Sequence, residues 1–349
     1  MWQVDNRTPF AADRAWVRDR NGAEVWLVAV KCTFDIRPDG STVVSKDQPP
    51  VLRVAEHHAG PDSGVKYDAD LVRTKTTTDV TVVGHAYAPE GRPATRMDVA
   101  LAVGPVHKVL RVTGDRVWRG FGISSPEPFD RMPLVYERAF GGVDRRSSRP
   151  DRDWDWRNPI GTGFAVSRDN ATGVALPNIE YPDDAVRAWK DRPRPAGFGP
   201  VGSHWQPRVG FAGTYDEAWT KQRAPLPPDD FDDRFFQCAP ADQQAPSFLH
   251  GGEPVALVGL TPSGELRFVL PKVFLGFDTR FYGGGREMHK QRRLHSVIVE
   301  PDVPRVSLVW HSALMCHSRV QKLDRTIVTV KTDIGGRASS REAHAVEPA

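Results

Sequence analysis

The sequence has little cysteine, no long apolar run and no block of like charge. Its three cysteines, Cys32, Cys238 and Cys316, are odd in number and far apart. That excludes a disulfide framework and fits a reducing compartment, so a cytoplasmic protein is expected. No apolar stretch approaches the ~18 residues that a membrane-spanning helix needs. The opening "MWQVDNRTPFAADRAWV" lacks a basic segment followed by an apolar one, so no secretion signal is expected there. Lysine and arginine total 47 against 44 acidic residues, a net charge of +3. Without a basic stripe, nucleic acid is not the expected partner, and neither is a membrane.

What is abundant is proline, glycine and tryptophan. The 349 residues include 30 Pro and 30 Gly. Residues 126–250 hold 16 of the prolines and five of the ten tryptophans, Trp154, Trp156, Trp189, Trp205 and Trp219. So many aromatics argue against disorder, because they bring large area to bury. Long ordered loops follow, and such loops tend to be functional. Short helices are expected near Asp183 to Lys190 and near Tyr215 to Gln222.

The flanks read as strands. "EVWLVAVKCTFDI", Glu24 to Ile36, is rich in β-branched and aromatic residues. "DVTVVGHAY" follows from Asp79. Met97, Val99, Leu101 and Val103 then alternate with Arg96, Asp98, Ala100 and Ala102, giving one apolar face. Past Gly104-Pro105 the run resumes over Lys108 to Thr113. After Pro254, "PVALVGL" and "ELRFVL" flank "TPSG" as a hairpin. "KVFLGF", "HSVIVE", "RVSLVWH" and "TIVTVK" complete the set. The expected fold is mainly β, with sandwich-like sheets from N- and C-terminal strands. A loop-rich middle packs on or between them. Residues 1–331 form a single domain in this reading, divided at about 125 and 250, and 332–349 form a polar tail.

No catalytic set assembles from the motifs. "DRDWDWRNP" sets Asp151, Asp153 and Asp155 beside Trp154 and Trp156, which suits a turn whose Asp side chains bond local backbone. A hydrolase of carbohydrate or cell-wall polymer would instead use two carboxylates across a cleft, with aromatics to stack sugars. Glu137, Asp153, Asp155 and His204 are its first suspects. Neither "EHH" (Glu56 to His58) nor "WHSALMCHS" has zinc-ligand spacing. There is no G-x-S-x-G elbow, and "YGGGRE" and "FGGVD" lack the phosphate-loop pattern. Their glycines fit turns with positive φ. No metal and no cofactor is expected.

Several segments together carry a resemblance. In order they are "KTTTDVTVVGHAYAP", "PLVYERAFGG", "NPIGTGF", "LPNIE", "GFGPVGSHWQPRVGFAGTYDEAW" and "DDFDDRFFQCAPADQQ". The chain resembles the bacterial domain-of-unknown-function 2169 family from about Asn6 to Lys331. The resemblance implies a non-enzymatic adaptor or chaperone in type VI secretion. Such a protein holds a toxic effector, often through an N-terminal or PAAR-linked region, and helps mount it on the spike protein VgrG. A secreted structural component of the spike is a third reading. For the adaptor, the expected contact surface is the middle region. Trp154, Trp156, Arg157, Phe198, Trp205, Arg208, Tyr215, Trp219, Phe235 and Phe236 are the candidates, because aromatic and Arg side chains anchor interfaces. Each either locks the fold or faces the partner, and only those exposed serve the second role.

Overall fold

The computed structural model describes residues 2–120, 122–317 and 319–330; the expected tail at 332–349 lies outside the described residues. The long apolar stretch forms the strand Glu24–Ile36, as its composition predicts. It lies one strand in from the edge of a six-stranded sheet. Arg305–Met315 pairs antiparallel along it, from Asp35↔Arg305 to Val25↔Met315. Ala11–Arg18 pairs along its other edge. Arg293–Glu300 and, parallel to it, Asp79–Val82 extend the sheet beyond Arg305–Met315. N- and C-terminal segments therefore share one sheet.

Glu24–Ile36 reads as a continuous apolar run because both of its faces are covered. Trp26, Val28, Val30, Cys32 and Phe34 point into the main core. On the other face Lys31 donates to Asp70 at 3.0 Å, and Gln48 bonds the backbone of Thr33. The segment 45–75 therefore roofs this face with polar partners.

A five-stranded sheet supplies the opposite wall of the core, in the order Ile179–Glu180, Val106–Thr113, Arg96–Val103, Pro254–Val258, Glu265–Val269. Val99, Leu101 and Val103 are buried, as their alternation predicts, together with Val106, Leu110, Val112, Val255 and Leu257. The two apolar runs around "TPSG" form the expected antiparallel pair. A four-stranded sheet, from Gln3–Asn6 through Leu323–Val330 and Leu275–Phe281 to Arg286–Met288, joins the same core. The turn after Glu24–Ile36 presses on the last strand of the five-stranded sheet. A Cβ at Gly40 would stand 2.6 Å from the carbonyl oxygen of Arg267.

The middle region is mostly loop. A helix forms at Glu217–Gln222, capped by the Asp216 side chain on Trp219 N–H. A second short helix, Arg168–Ala171, is capped by Ser167. The helix expected near Asp183 to Lys190 is absent. Glu180 takes the N–H of Val186, and Asp191 takes those of Arg187 and Ala188. Carboxylates thus accept the donors that a helix would need, and the backbone follows them.

Candidate functional site

The middle loops are fastened to the sheets by buried polar side chains. Lys75, at the start of "KTTTD", donates to Asp79 at 2.5 Å and to Ser296 at 2.9 Å. Asp79 also accepts from the Gln237 amide and from Cys238 N–H. Burial works against the Lys75 charge, but Asp79 beside it prevails and holds the ammonium above its ordinary value. Lys108 points inward from its strand. It donates to the carbonyl of Gly197 (2.7 Å), to Asp242 (2.9 Å) and to Gln243 (2.8 Å). Burial pulls it down to about 8. Gln243 in turn donates to the carbonyls of Val80 and Phe198.

Arg208 is a third fastening. Its guanidinium donates to the carbonyls of Phe235 and Val201, each at 2.8 Å, and lies 2.7 Å from Asp68. In "LPNIE", Asn178 donates to Thr113 O and Asp115 and accepts from Arg138, while Glu180 pairs with Arg116. The quoted motifs therefore bond one another. Their unusual composition reflects a requirement that buried backbone groups away from regular strands find partners.

The ten candidate contact residues divide accordingly. Phe198, Trp205 and Arg208 are buried, at 0%, 1% and 5% exposure, so they lock the fold. Trp205 packs edge-on against Tyr136. Phe235 and Phe236 are half-buried and cluster with Phe231; Arg73 lies over Phe231 and Phe236, and Arg208 over Phe235. Arg157 is half-buried and binds Asp155 through its side chain. Two aromatic pairs reach the surface. Trp156, 58% exposed, stacks on the half-buried Trp154 with ring centroids 4.1 Å apart. Tyr215, 56% exposed, meets the half-buried Trp219 at 4.7 Å. Both inner rings are tethered: Trp154 Nε1 donates to Asp151 O and Trp219 Nε1 to Leu226 O.

Of the four hydrolase suspects, three have local partners. Asp153 accepts from the Ser147 hydroxyl, Asp155 is held by Arg157, and His204 accepts from the Trp205 indole. Glu137 differs. It stands in the wall of a cavity of about 660 Å3, which sequence reasoning missed. The cavity's glycines, in "FGG" and "NPIGTGF", read as turn residues. Gly141, Gly142 and Gly163 do have positive φ, but no spacing announces the space they enclose.

The histidines and cysteines are inward. Cys32, Cys238 and Cys316 are free and buried. His295 and His311 stack at 4.1 Å, with His311 Nε2 on the carbonyl of Asp70. Burial draws His311 down to about 4. Among the described residues no group of three or more His, Cys, Asp or Glu side chains is placed to hold a metal ion, and no helix is long and apolar enough to cross a membrane.

Sheets, buried polar fastenings and surface aromatics define a β-rich protein with an ordered loop layer. The chain belongs to the family described as uncharacterized protein conserved in bacteria (DUF2169), whose sequence model matches residues 21–311. No curated protein and no solved structure matches it.

Proposed function

We propose that this protein is a cytoplasmic adaptor or chaperone that binds a type VI secretion effector and helps load it on the VgrG/PAAR spike. The motif resemblance suggests the role, and one structural observation carries it furthest. Two aromatic pairs, Trp154–Trp156 on a loop and Tyr215–Trp219 at the capped helix Glu217–Gln222, sit on segments tethered by side-chain bonds. Exposed aromatics on a rigid frame lose little freedom on binding and suit a protein partner. The hydrolase reading draws on Glu137 alone, since Asp153 and Asp155 are engaged by their own loop.

Co-purification with a co-expressed type VI effector from the same bacterium tests the proposal. A stable complex that resists dilution is expected. If the two proteins elute apart and effector loading survives deletion of the gene, the proposal fails.

A further inference from the structure

A surface cleft of about 290 Å3 carries charge of one sign. Three segments wall it: the hairpin of Trp118–Arg119 with Gly122–Ile123, the short helix Arg168–Ala171, and residues 188–189. Backbone bonds hold the first two together. Trp118 N–H donates to Val174 O at 3.0 Å, and Gly173 N–H to Trp118 O at 2.7 Å. The Arg168 guanidinium adds a bond to the carbonyl of Gly120 at 2.8 Å. A frame tied in this way loses little freedom when it binds.

The floor of the cleft is apolar. Trp118 and Ala171 belong to a small core against which the half-buried Trp189 packs. The rim is basic. Arg119 and Arg168 both line the cleft and both are exposed. Arg168 spends one donor on Gly120 O, and Arg119 has no hydrogen-bond or ion-pair partner among the described residues. Elsewhere arginines such as Arg111, Arg194 and Arg234 each meet a carboxylate close by. Here no Asp or Glu is among the described residues that line the space. Of the carboxylates adjoining in sequence, Asp191 accepts the N–H groups of Arg187 and Ala188, and Asp169 is exposed outside the lining. Two guanidinium groups without a counter-charge favour a carboxylate, which they grip in a fixed geometry. The volume falls short of most small-molecule sites, so a side chain fits it better than a cofactor.

We propose that this cleft binds an acidic segment of a protein partner. The carboxylate meets Arg119 and Arg168, and a neighbouring apolar side chain lies against Trp118 and Trp189. This deepens the adaptor reading by stating what the partner presents, and it rests on that reading only for the partner's identity.

The full-length protein, isotope-labelled at tryptophan, is titrated with acetyl-leucyl-glutamate amide and with its neutral glutamine counterpart. The indole signals of Trp118 and Trp189, assigned by substitution to Phe, should shift with the glutamate peptide. It should bind in the millimolar range or better, and at least about threefold more tightly than the glutamine peptide. Arg119→Gln combined with Arg168→Gln should abolish that preference, whereas Arg145→Gln, at another cavity, should preserve it. Equal binding of the two peptides, no binding of either, or a preference that survives the double substitution overturns the proposal. A short single-stranded DNA that shifts the same signals more strongly than the glutamate peptide would overturn it too, by making the cleft a nucleic-acid platform. If the double variant does not fold, Arg119→Gln alone decides, since it breaks no bond. Peptide binding by a protein that fails to co-purify with an effector keeps the cleft and removes the adaptor; co-purification without peptide binding does the reverse.

Discussion

At the scale of single residues, the chain spends its most costly side chains on holding loops in place. Lys75 and Asp79 are buried and 2.5 Å apart, and Asp79 also collects Gln237 and Cys238 N–H. Removing one partner strands the other charge. Asp79→Ala should therefore cost about 3–5 kcal/mol in urea unfolding. Lys75→Met combined with Asp79→Leu should cost less than that, because no charge is left behind. A double variant no more stable than the single one would contradict this. Some of the polar lock was legible. Lys108 sits at an inward position of an alternating strand, two residues from Val106 and from Leu110, where a lysine needs acceptors. Which acceptors it finds, Gly197 O, Asp242 and Gln243, no sequence spacing reveals, because they lie about 90 to 135 residues away.

At the scale of elements, strands were readable and loops were not. The limits of Glu24–Ile36 follow from β-branched composition and two-sided burial. Arg96–Val103 and Pro254–Val258 follow from alternation and turn residues. The helix at Glu217–Gln222 was signalled, whereas Asp183 to Lys190 was misread because side-chain acceptors took its N–H groups. Two substitutions probe this level. Asp216→Ala should lose about 1 kcal/mol of capping, seen as faster amide exchange over 217–222 with the sheets unaffected. Gly40→Ala should destabilise the whole protein by more than about 1 kcal/mol. Its φ is +79° and the new Cβ would strike the Arg267 carbonyl oxygen. A neutral Gly40→Ala would show that the turn does not press on the neighbouring sheet.

At the scale of the whole molecule, three buried histidines link stability to pH. Burial lowers His289 and His311 to about 4, and lowers His295 in the same direction. The unfolded chain binds protons at these sites from about pH 6.5 downward, while the folded chain resists them. Stability from these groups is therefore intact above that pH and falls as the pH drops toward 4. Unfolding midpoints should decline over this window, and His295→Phe, which keeps a ring between Phe248 and His311, should make the decline shallower. An unchanged slope would remove His295 from the account.

The same scale carries the functional claim, that a loop layer fastened from within offers Trp156 and Tyr215 to a protein partner. The most direct measurement is the affinity of the proposed effector partner for the wild-type protein and for Trp156→Ala combined with Tyr215→Ala. The double variant should stay folded, losing no more than about 1–3 kcal/mol with its two ring pairs, and should lose at least about tenfold in affinity, as interface aromatics do. Undiminished affinity in a folded double variant would contradict the account.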